Sequence, residues 1–171
     1  MTPEIQLFLK KAKQKIGQPQ TILEIGSLNV NGSAREVFGA TNDYLGIDIT
    51  AGKDVDLVLD AHDMFTCSAI TPEKFDLVIC CETFEHDIFF WVSLENMKKA
   101  LKKGGWLIIT TPGNEVIKHN YPSDYYRFFG DTYKSLFFKG MADVFVEEYW
   151  KPQNKLKDLR PDEVHGYGRK I

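Results

Sequence analysis

The sequence predicts an α/β fold: a doubly wound, mostly parallel sheet with one late antiparallel strand. Three observations predict it. Apolar, strand-like runs alternate with helix-like segments along most of the chain. The run Thr21-Ile-Leu-Glu-Ile25 leads straight into Gly26, a polar loop closed by Asn31-Gly32, and a helix start at Ala34 to Phe38. A second apolar run, Tyr44-Leu-Gly-Ile, then ends in an acid, Asp48. Strand, glycine turn and helix in that order set backbone amides at the carboxyl end of a strand, where nucleotide-like ligands bind in open sheets.

The elements follow in order. Residues Pro3 to Ile16 put Ile5, Phe8, Leu9, Ala12 and Ile16 on one helical stripe, and Gly17 and Pro19 stop it. The first strand is Thr21–Ile25 and the second Tyr44–Ile47. Val55–Leu59 reads as a third, and Phe75–Cys81 as a fourth whose continuous apolar run suits burial on both faces. Ile88 to Lys102 reads as a helix with Trp91, Leu94, Met97 and Leu101 at helical spacing, closed by lysines and Gly104. The fifth strand is Trp106–Thr110, followed by a polar-aromatic loop to Gly130 and a short helix, Asp131 to Phe138. Val144–Tyr149 and Val164–Gly168 complete the sheet. The connections after the second and third strands are short, so a full helix is expected to be missing there.

The chain has 171 residues, enough for one domain over 1–171 with a buried core, an N-terminal helix over 1–18 and a lid over 114–130. The composition is 43% hydrophobic and 26% charged, with a net charge of -3, which gives no general electrostatic reason to bind nucleic acid. No apolar run approaches the roughly 20 residues a membrane span needs, and Met1-Thr-Pro-Glu does not read as a secretory signal. Three cysteines, two of them adjacent in a strand (Cys80 and Cys81), suit reduced thiols in a cytoplasmic protein. No His/Cys spacing suggests a metal site. The oligomeric state is not legible.

Five segments in this order resemble class I S-adenosylmethionine-dependent methyltransferases, a Rossmann-like fold. Glu24-Ile-Gly26 resembles the first cofactor motif and Asp48 the acidic end of the second strand. Asp60-Ala-His-Asp63 is similar to the adenine-contacting segment. Phe75 to His86 resembles the fourth-strand motif, and Leu101-Lys-Lys-Gly-Gly-Trp-Leu-Ile-Ile-Thr-Thr-Pro112 the fifth. The resemblance implies S-adenosyl-L-methionine as cofactor, held by Glu24, Gly26, Ser27, Asn31, Gly32, Asp48, Ile49, Asp60, Ala61, His62 and Cys81. The first loop departs from the family pattern: it has fewer glycines, Gly26 being followed by Ser27-Leu-Asn-Val-Asn31 before Gly32.

Physical chemistry supports these assignments. Asp48 can accept from both ribose hydroxyls, Gly26 lets the backbone come close to a ligand, and Glu24 suits the amino-acid tail. Asp60, or else Asp63, can accept from the adenine amine, with Phe65 or Met64 over the ring. The bland readings are a solvated turn for Asp48, an ordinary Asn-Gly turn for Gly32 and core thiols for Cys80 and Cys81.

The acceptor belongs on the loop after the fourth strand, with His86 and Glu82 as catalytic candidates. His86 can equally be a packing residue. The segment His119-Asn-Tyr-Pro-Ser-Asp-Tyr-Tyr-Arg-Phe-Phe129 is similar to a lid in some of these enzymes, with His119, Asp124, Tyr125 and Arg127 as substrate-binding candidates. Asp124 and Arg127 can pair with each other, or Arg127 can hold an anionic acceptor; the phenylalanines read as core plugs.

Neither a Pro-Cys nucleophile nor an Asn/Asp-Pro-Pro-aromatic motif is present, which argues against DNA base methylation. The expectation is methyl transfer to oxygen or nitrogen of a small-molecule or glycan-like acceptor. The rivals are a non-catalytic cofactor-binding or assembly module and an NAD-dependent oxidoreductase, the latter lacking its Gly-x-Gly-x-x-Gly loop.

Overall fold

Helix α1, Pro3–Ile16, starts where Thr2 accepts the Ile5 amide at 3.2 Å and stops at Gly17, whose φ is 84°. Its apolar stripe (Ile5, Phe8, Leu9 and Ala12) is fully buried. The computed structural model describes residues 1–39, 43–114, 116, 118, 123–151 and 161–171. After α1 come β1 (Thr21–Ile25), a single-turn helix α2 (Arg35–Phe38), β2 (Asp43–Asp48) and a two-residue β3 (Leu57–Val58). A 3₁₀ turn (Ala61–Thr66), β4 (Phe75–Cys81), α3 (Phe90–Ala100) and β5 (Leu101–Pro112) follow. A short helical turn (Gly130–Thr132) then runs into a π-turn (Tyr133–Phe137), followed by β6 (Ala142–Tyr149) and β7 (Glu163–Arg169).

The strands form one sheet in the order β3-β2-β1-β4-β5-β7-β6. β1 to β5 are parallel, and β7 enters antiparallel between β5 and β6. The chain leaves β1 in one direction through β2 and β3, then returns to the other side of β1 as β4. This reversal opens a crevice at the carboxyl ends of β1 and β4.

Alternation along β4 splits the core between the two faces of the sheet. Leu77, Ile79 and Cys81 pack with α1 and α2, while Val78 and Cys80 pack with α3 and the π-turn. The expected short crossovers are present: a loop joins β2 to β3, and only the 3₁₀ turn lies between β3 and β4. No helix among the described residues is long and apolar enough to cross a membrane.

Several expected details change: the third strand is only Leu57–Val58, and the helix expected over Asp131 to Phe138 is a short turn running into the π-turn. The buried stripe of α3 is Phe90, Leu94, Met97 and Ala100, while Trp91 is 46% exposed. Gly104 and Gly105 do not cap that helix either. It passes directly into β5 at Leu101, which pairs with Phe75, and the glycines sit in a register shift before Trp106. Gly104 has φ 78°, and a Cβ on Gly105 would lie 2.9 Å from the Lys102 carbonyl.

Tyr133 ties the π-turn to both neighbouring strands. Its hydroxyl donates to the Val164 carbonyl at 2.7 Å and lies 2.9 Å from the Thr111 hydroxyl, fully buried. Tyr133→Phe leaves both groups short of a partner and is expected to cost about 1–3 kcal/mol in urea unfolding; an unchanged midpoint would contradict this role.

Candidate active site

Glu24 and Asp48 emerge at the carboxyl tips of the paired strands β1 and β2. Beyond Ile25 the chain turns at Gly26, with φ 72°. The Gly26 and Ser27 amides both donate to the Ile47 carbonyl, at 2.9 and 3.1 Å. Those two amides therefore bind the neighbouring strand. The glycine is required by the protein itself, since a Cβ there would sit 2.0 Å from Thr83 Oγ1. Close approach at Gly26 thus serves the loop after β4, and the same residue lines the cavity.

Asp48 organises the loop from the other side. Its carboxylate accepts the Leu28 amide at 3.2 Å and the Thr50 amide at 2.9 Å. A carboxylate offers about four acceptor positions, so these two bonds leave room for a ligand's hydroxyls. Asn29, which sequence reasoning missed, pins the same loop. Its side chain accepts the Gly32 amide at 2.9 Å and donates to Asp54 at 2.6 Å.

Glu24 is 3% exposed and accepts from the Tyr44 hydroxyl at 2.7 Å. Burial pushes its carboxyl up to about 7, although the Tyr44 hydrogen bond favours the ionised form. Arg35 lies 4.3 Å over the Tyr44 ring and fixes the tyrosine in turn. Tyr44 was legible only in retrospect: a tyrosine in a strand next to a buried acid needs a partner for its hydroxyl.

The 3₁₀ turn carries Asp60 and His62. Asp60 caps the turn by accepting the His62 amide at 2.8 Å. The His62 ring reaches Asp87 at 2.9 Å, and Asp87 also accepts from Ser93 Oγ at 2.6 Å and the Phe89 amide at 2.8 Å. Met64 is fully buried and Phe65 packs against the core under Lys99, so neither can cover a ring in the crevice. Ile49 and Leu59 line it instead.

The loop after β4 holds the acidic side. Glu82 has φ 51°, a left-handed conformation that non-glycine residues adopt at a cost. Its amide donates to the Thr110 carbonyl at 3.0 Å, and its carboxylate accepts from Thr110 Oγ1 at 3.1 Å. Burial, then the Glu163 charge, raise its pKa. Burial and the Glu82 charge hold Glu85 well above the usual range. His86 Nδ1 donates to the Ser123 carbonyl, which leaves Nε2 facing Glu85 Oε1 at 3.4 Å. The Tyr125 amide donates to the Glu85 carbonyl at 2.7 Å, docking the following segment on this loop.

These pieces enclose a cavity of about 540 Å³. The anticipated Glu24, Gly26, Ser27, Asn31, Gly32, Asp48, Ile49, Asp60, Ala61, His62 and Cys81 all line it, as do Glu82, His86 and Tyr125. Thr50, Thr83, Glu85, Asp87 and Ile88 were not in the anticipated set and line it too. Asp124 and Arg127 do not. Arg127 forks onto Asp124, with Nη2 at 2.6 Å from Oδ2, so of the two alternatives the internal pair is the one found. Phe128 and Tyr126 pack around Phe90, whereas Phe129 is 40% exposed and plugs nothing. His119 lies outside the described residues. Among the described residues no group of His, Cys, Asp or Glu could hold a metal ion.

The family model for a methyltransferase domain matches residues 23–109, more than half of the chain. The chain belongs to the methyltransferase-domain family. This family uses S-adenosyl-L-methionine, which decides between the methyltransferase and nicotinamide readings. Solved structures share the fold. A SAM-dependent methyltransferase from Archaeoglobus fulgidus superposes with a TM-score of 0.69 at 15% identity, over 96% of this chain and 94% of that one. The N-methyltransferase NodS from Bradyrhizobium japonicum WM9, in complex with S-adenosyl-L-homocysteine, gives 0.68 at 15%, over 98% and 86%. The 1,6-didemethyltoxoflavin-N1-methyltransferase from Burkholderia thailandensis gives 0.71 at 11%, over 95% and 76%. No curated protein sequence matches.

The residues of the methyltransferase cavity fit the cofactor. Besides the room left on Asp48, the Ser27 hydroxyl on the cavity wall is 2% exposed and has no hydrogen-bond partner among the described residues. A buried polar atom in that state is what a ligand's polar group satisfies.

Glu24 makes stability depend on pH. Its proton is lost near 4.5 from the unfolded chain and near 7 from the folded one. Between these values the folded state binds more protons, so stability falls as pH rises from about 4.5 to about 7. The full effect of this group is roughly 3 kcal/mol. His165, raised by its Glu147 and Glu163 partners against the opposing effect of burial, acts in the same direction. Glu24→Gln is expected to stabilise the ligand-free protein at pH 8 and to flatten its melting temperature between pH 5 and 8. Melts with the wild-type pH slope would contradict the assignment.

Proposed function

We propose that this chain transfers a methyl group from S-adenosyl-L-methionine to oxygen or nitrogen of a small-molecule or glycan-like acceptor. The observation that carries the reading is the convergence of Glu24 and Asp48 at adjacent strand tips, on a cavity whose far wall is the loop after β4. When bound, the cofactor supplies a methyl carbon already activated by its positive sulfur, so the chain's own task is to bind, align and exclude water.

In this reading Asp48 accepts from the ribose hydroxyls, and Glu24, steadied by Tyr44, takes the ammonium of the amino-acid tail. Asp60 accepts from the adenine amine, and Ile49 offers the ring an apolar contact. Ser27 gains the partner its hydroxyl lacks. Asn31, Gly32, Ala61, His62 and Cys81 complete the wall.

Glu82 and His86 face the acceptor. With His86 Nδ1 held by the Ser123 carbonyl, Nε2 is the atom able to take or give a proton. Tyr125 closes the mouth from the segment docked on Glu85, as the described part of a lid over 114–130. Asp124 and Arg127 act on the acceptor only by holding that segment in shape.

Calorimetry with S-adenosyl-L-homocysteine tests the donor half. Wild-type protein is expected to bind it, and Asp48→Ala to weaken binding about 10- to 100-fold, the value of a charge-assisted bond. No binding by the wild type at millimolar ligand would overturn the reading.

A further inference from the structure

The walls of the cavity carry six carboxyl groups, Glu24, Asp48, Asp60, Glu82, Glu85 and Asp87, and among the described lining residues there is no lysine or arginine. Three of them belong to the donor in the reading above: Glu24, Asp48 and Asp60. Asp87 is used by the protein itself, shared among His62, Ser93 and the Phe89 amide. Glu82, which accepts from Thr110 Oγ1, and Glu85, 3.4 Å from His86 Nε2, lie on the acceptor side.

Among the described residues the positive groups near them are few: the Met1 amino group on the cavity wall and His165 draw the Glu82 carboxyl down, against burial and the Glu163 charge. The Arg127 guanidinium, which draws Glu85 down, is paired with the buried carboxylate of Asp124, which pushes Glu85 up. Behind Glu82 the wall is acidic again: Glu163 is buried and shares His165 with Glu147. Glu163 raises the Glu82 pKa and Glu82 raises that of Glu85, so this run of acids is relieved by an arriving cation and burdened by an arriving anion.

The mouth has a different character. Tyr125 is 49% and Ile88 44% exposed, and both line the cavity. Phe89 stands edge-on to His62 at 6.0 Å between ring centres, with Trp91 5.6 Å from Phe89. Aromatic faces of this kind accept apolar bodies and cationic heads alike.

Resting on the methyl-transfer reading, we propose that the acceptor is a protonatable amine on an apolar or aromatic body. Its nitrogen lies beside Glu82 and Glu85, and its body lies against Ile88 and Tyr125. Carboxylate- and phosphate-bearing acceptors are excluded by charge.

Proton accounting agrees with an amine. It arrives as an ammonium and gives one N–H proton to Glu82. The freed lone pair forms the new N–C bond, and the product nitrogen carries the positive charge that the donor sulfur gives up as its S–C bond pair returns to it. The Glu82 proton then leaves to solvent. Lysine's ammonium titrates near ~10.4 and water near ~15.7, so a carboxylate base serves an amine far better than an unassisted hydroxyl.

The test is a charge series on shared bodies, run with the full chain. Benzylamine, 2-phenylethylamine and tryptamine form one arm, the corresponding alcohols a second, and phenylacetate, 3-phenylpropanoate and indole-3-propanoate a third. Two readouts are taken: the thermal shift in the presence of S-adenosyl-L-homocysteine, and methyl transfer from labelled S-adenosyl-L-methionine. Responses are expected in the amine arm alone. Glu82→Gln should weaken amine binding about tenfold or more, with S-adenosyl-L-homocysteine affinity retained by calorimetry.

A silent amine arm, an equal response from alcohols or carboxylates, or an amine response unchanged in Glu82→Gln overturns the assignment. Failure of wild-type protein to bind S-adenosyl-L-homocysteine overturns the methyl-transfer reading beneath it, so the two failures are told apart.

Discussion

One carbonyl oxygen holds the site together. Ile47 accepts the Gly26 and Ser27 amides, and this fork ties the turn after the first strand to the tip of the second. The parallel pairing of β1 and β2 brings Glu24 and Asp48 to neighbouring tips, and the fork holds the loop between them. The remainder of the loop then falls under Asp48, through the Leu28 and Thr50 amides, and under Asn29. A first loop with few glycines works here because side chains, rather than extra glycines, set its path. The one glycine that cannot be spared is Gly26, whose missing Cβ makes way for Thr83.

The loop after β4 shows the opposite balance, with rigidity gained at a cost in local energy. Glu82 in a left-handed conformation costs on the order of 1–3 kcal/mol, and desolvation and the Glu163 charge raise the pKa of its carboxyl. The surroundings enforce this: Thr110 grips both its amide and its carboxylate, Thr83 donates to the Cys81 carbonyl at 3.0 Å, and Tyr125 docks on Glu85. Carboxyl groups kept under such pressure are poised to respond when a positive charge enters. The same pressure links the acceptor side to Glu163 and His165 on β7, so the late antiparallel strand contributes to the field of the cavity without lining it.

Much of the fold was legible because its signals are local. Thr21–Ile25 and Phe75–Cys81 are strands with the residue limits their apolar runs suggested, and Pro3–Ile16 is a helix bounded by its cap and glycine. That the anticipated cofactor residues line one cavity follows from a related signal: several of them sit at strand ends, which the sequence pattern marks. What escaped were features decided by partners far along the chain. Gly104 and Gly105 look like a helix stop, but Phe75 pairs with Leu101 and turns them into a bulge. Trp91 and Phe90 compete for the buried face of α3, and only contact with Phe84, Phe128 and Phe137 selects Phe90. Arg127 is a local case: of its two anticipated partners, Asp124, three residues away, takes both arms of its fork. Met64 and Phe65 were expected over a ligand, yet the 3₁₀ turn directs them at the core, leaving Ile49 and Leu59 on the cavity wall.

The most direct measurement is a crystal structure of the protein grown with S-adenosyl-L-homocysteine. The account predicts the ribose hydroxyls on the Asp48 carboxylate, the amino-acid tail at Glu24 and a partner for the Ser27 hydroxyl. Its sulfur should point toward the loop carrying Glu82 and His86. Density for the nucleoside away from the β1 and β2 tips, or a crevice closed by the protein's own side chains with the ligand elsewhere, would contradict it.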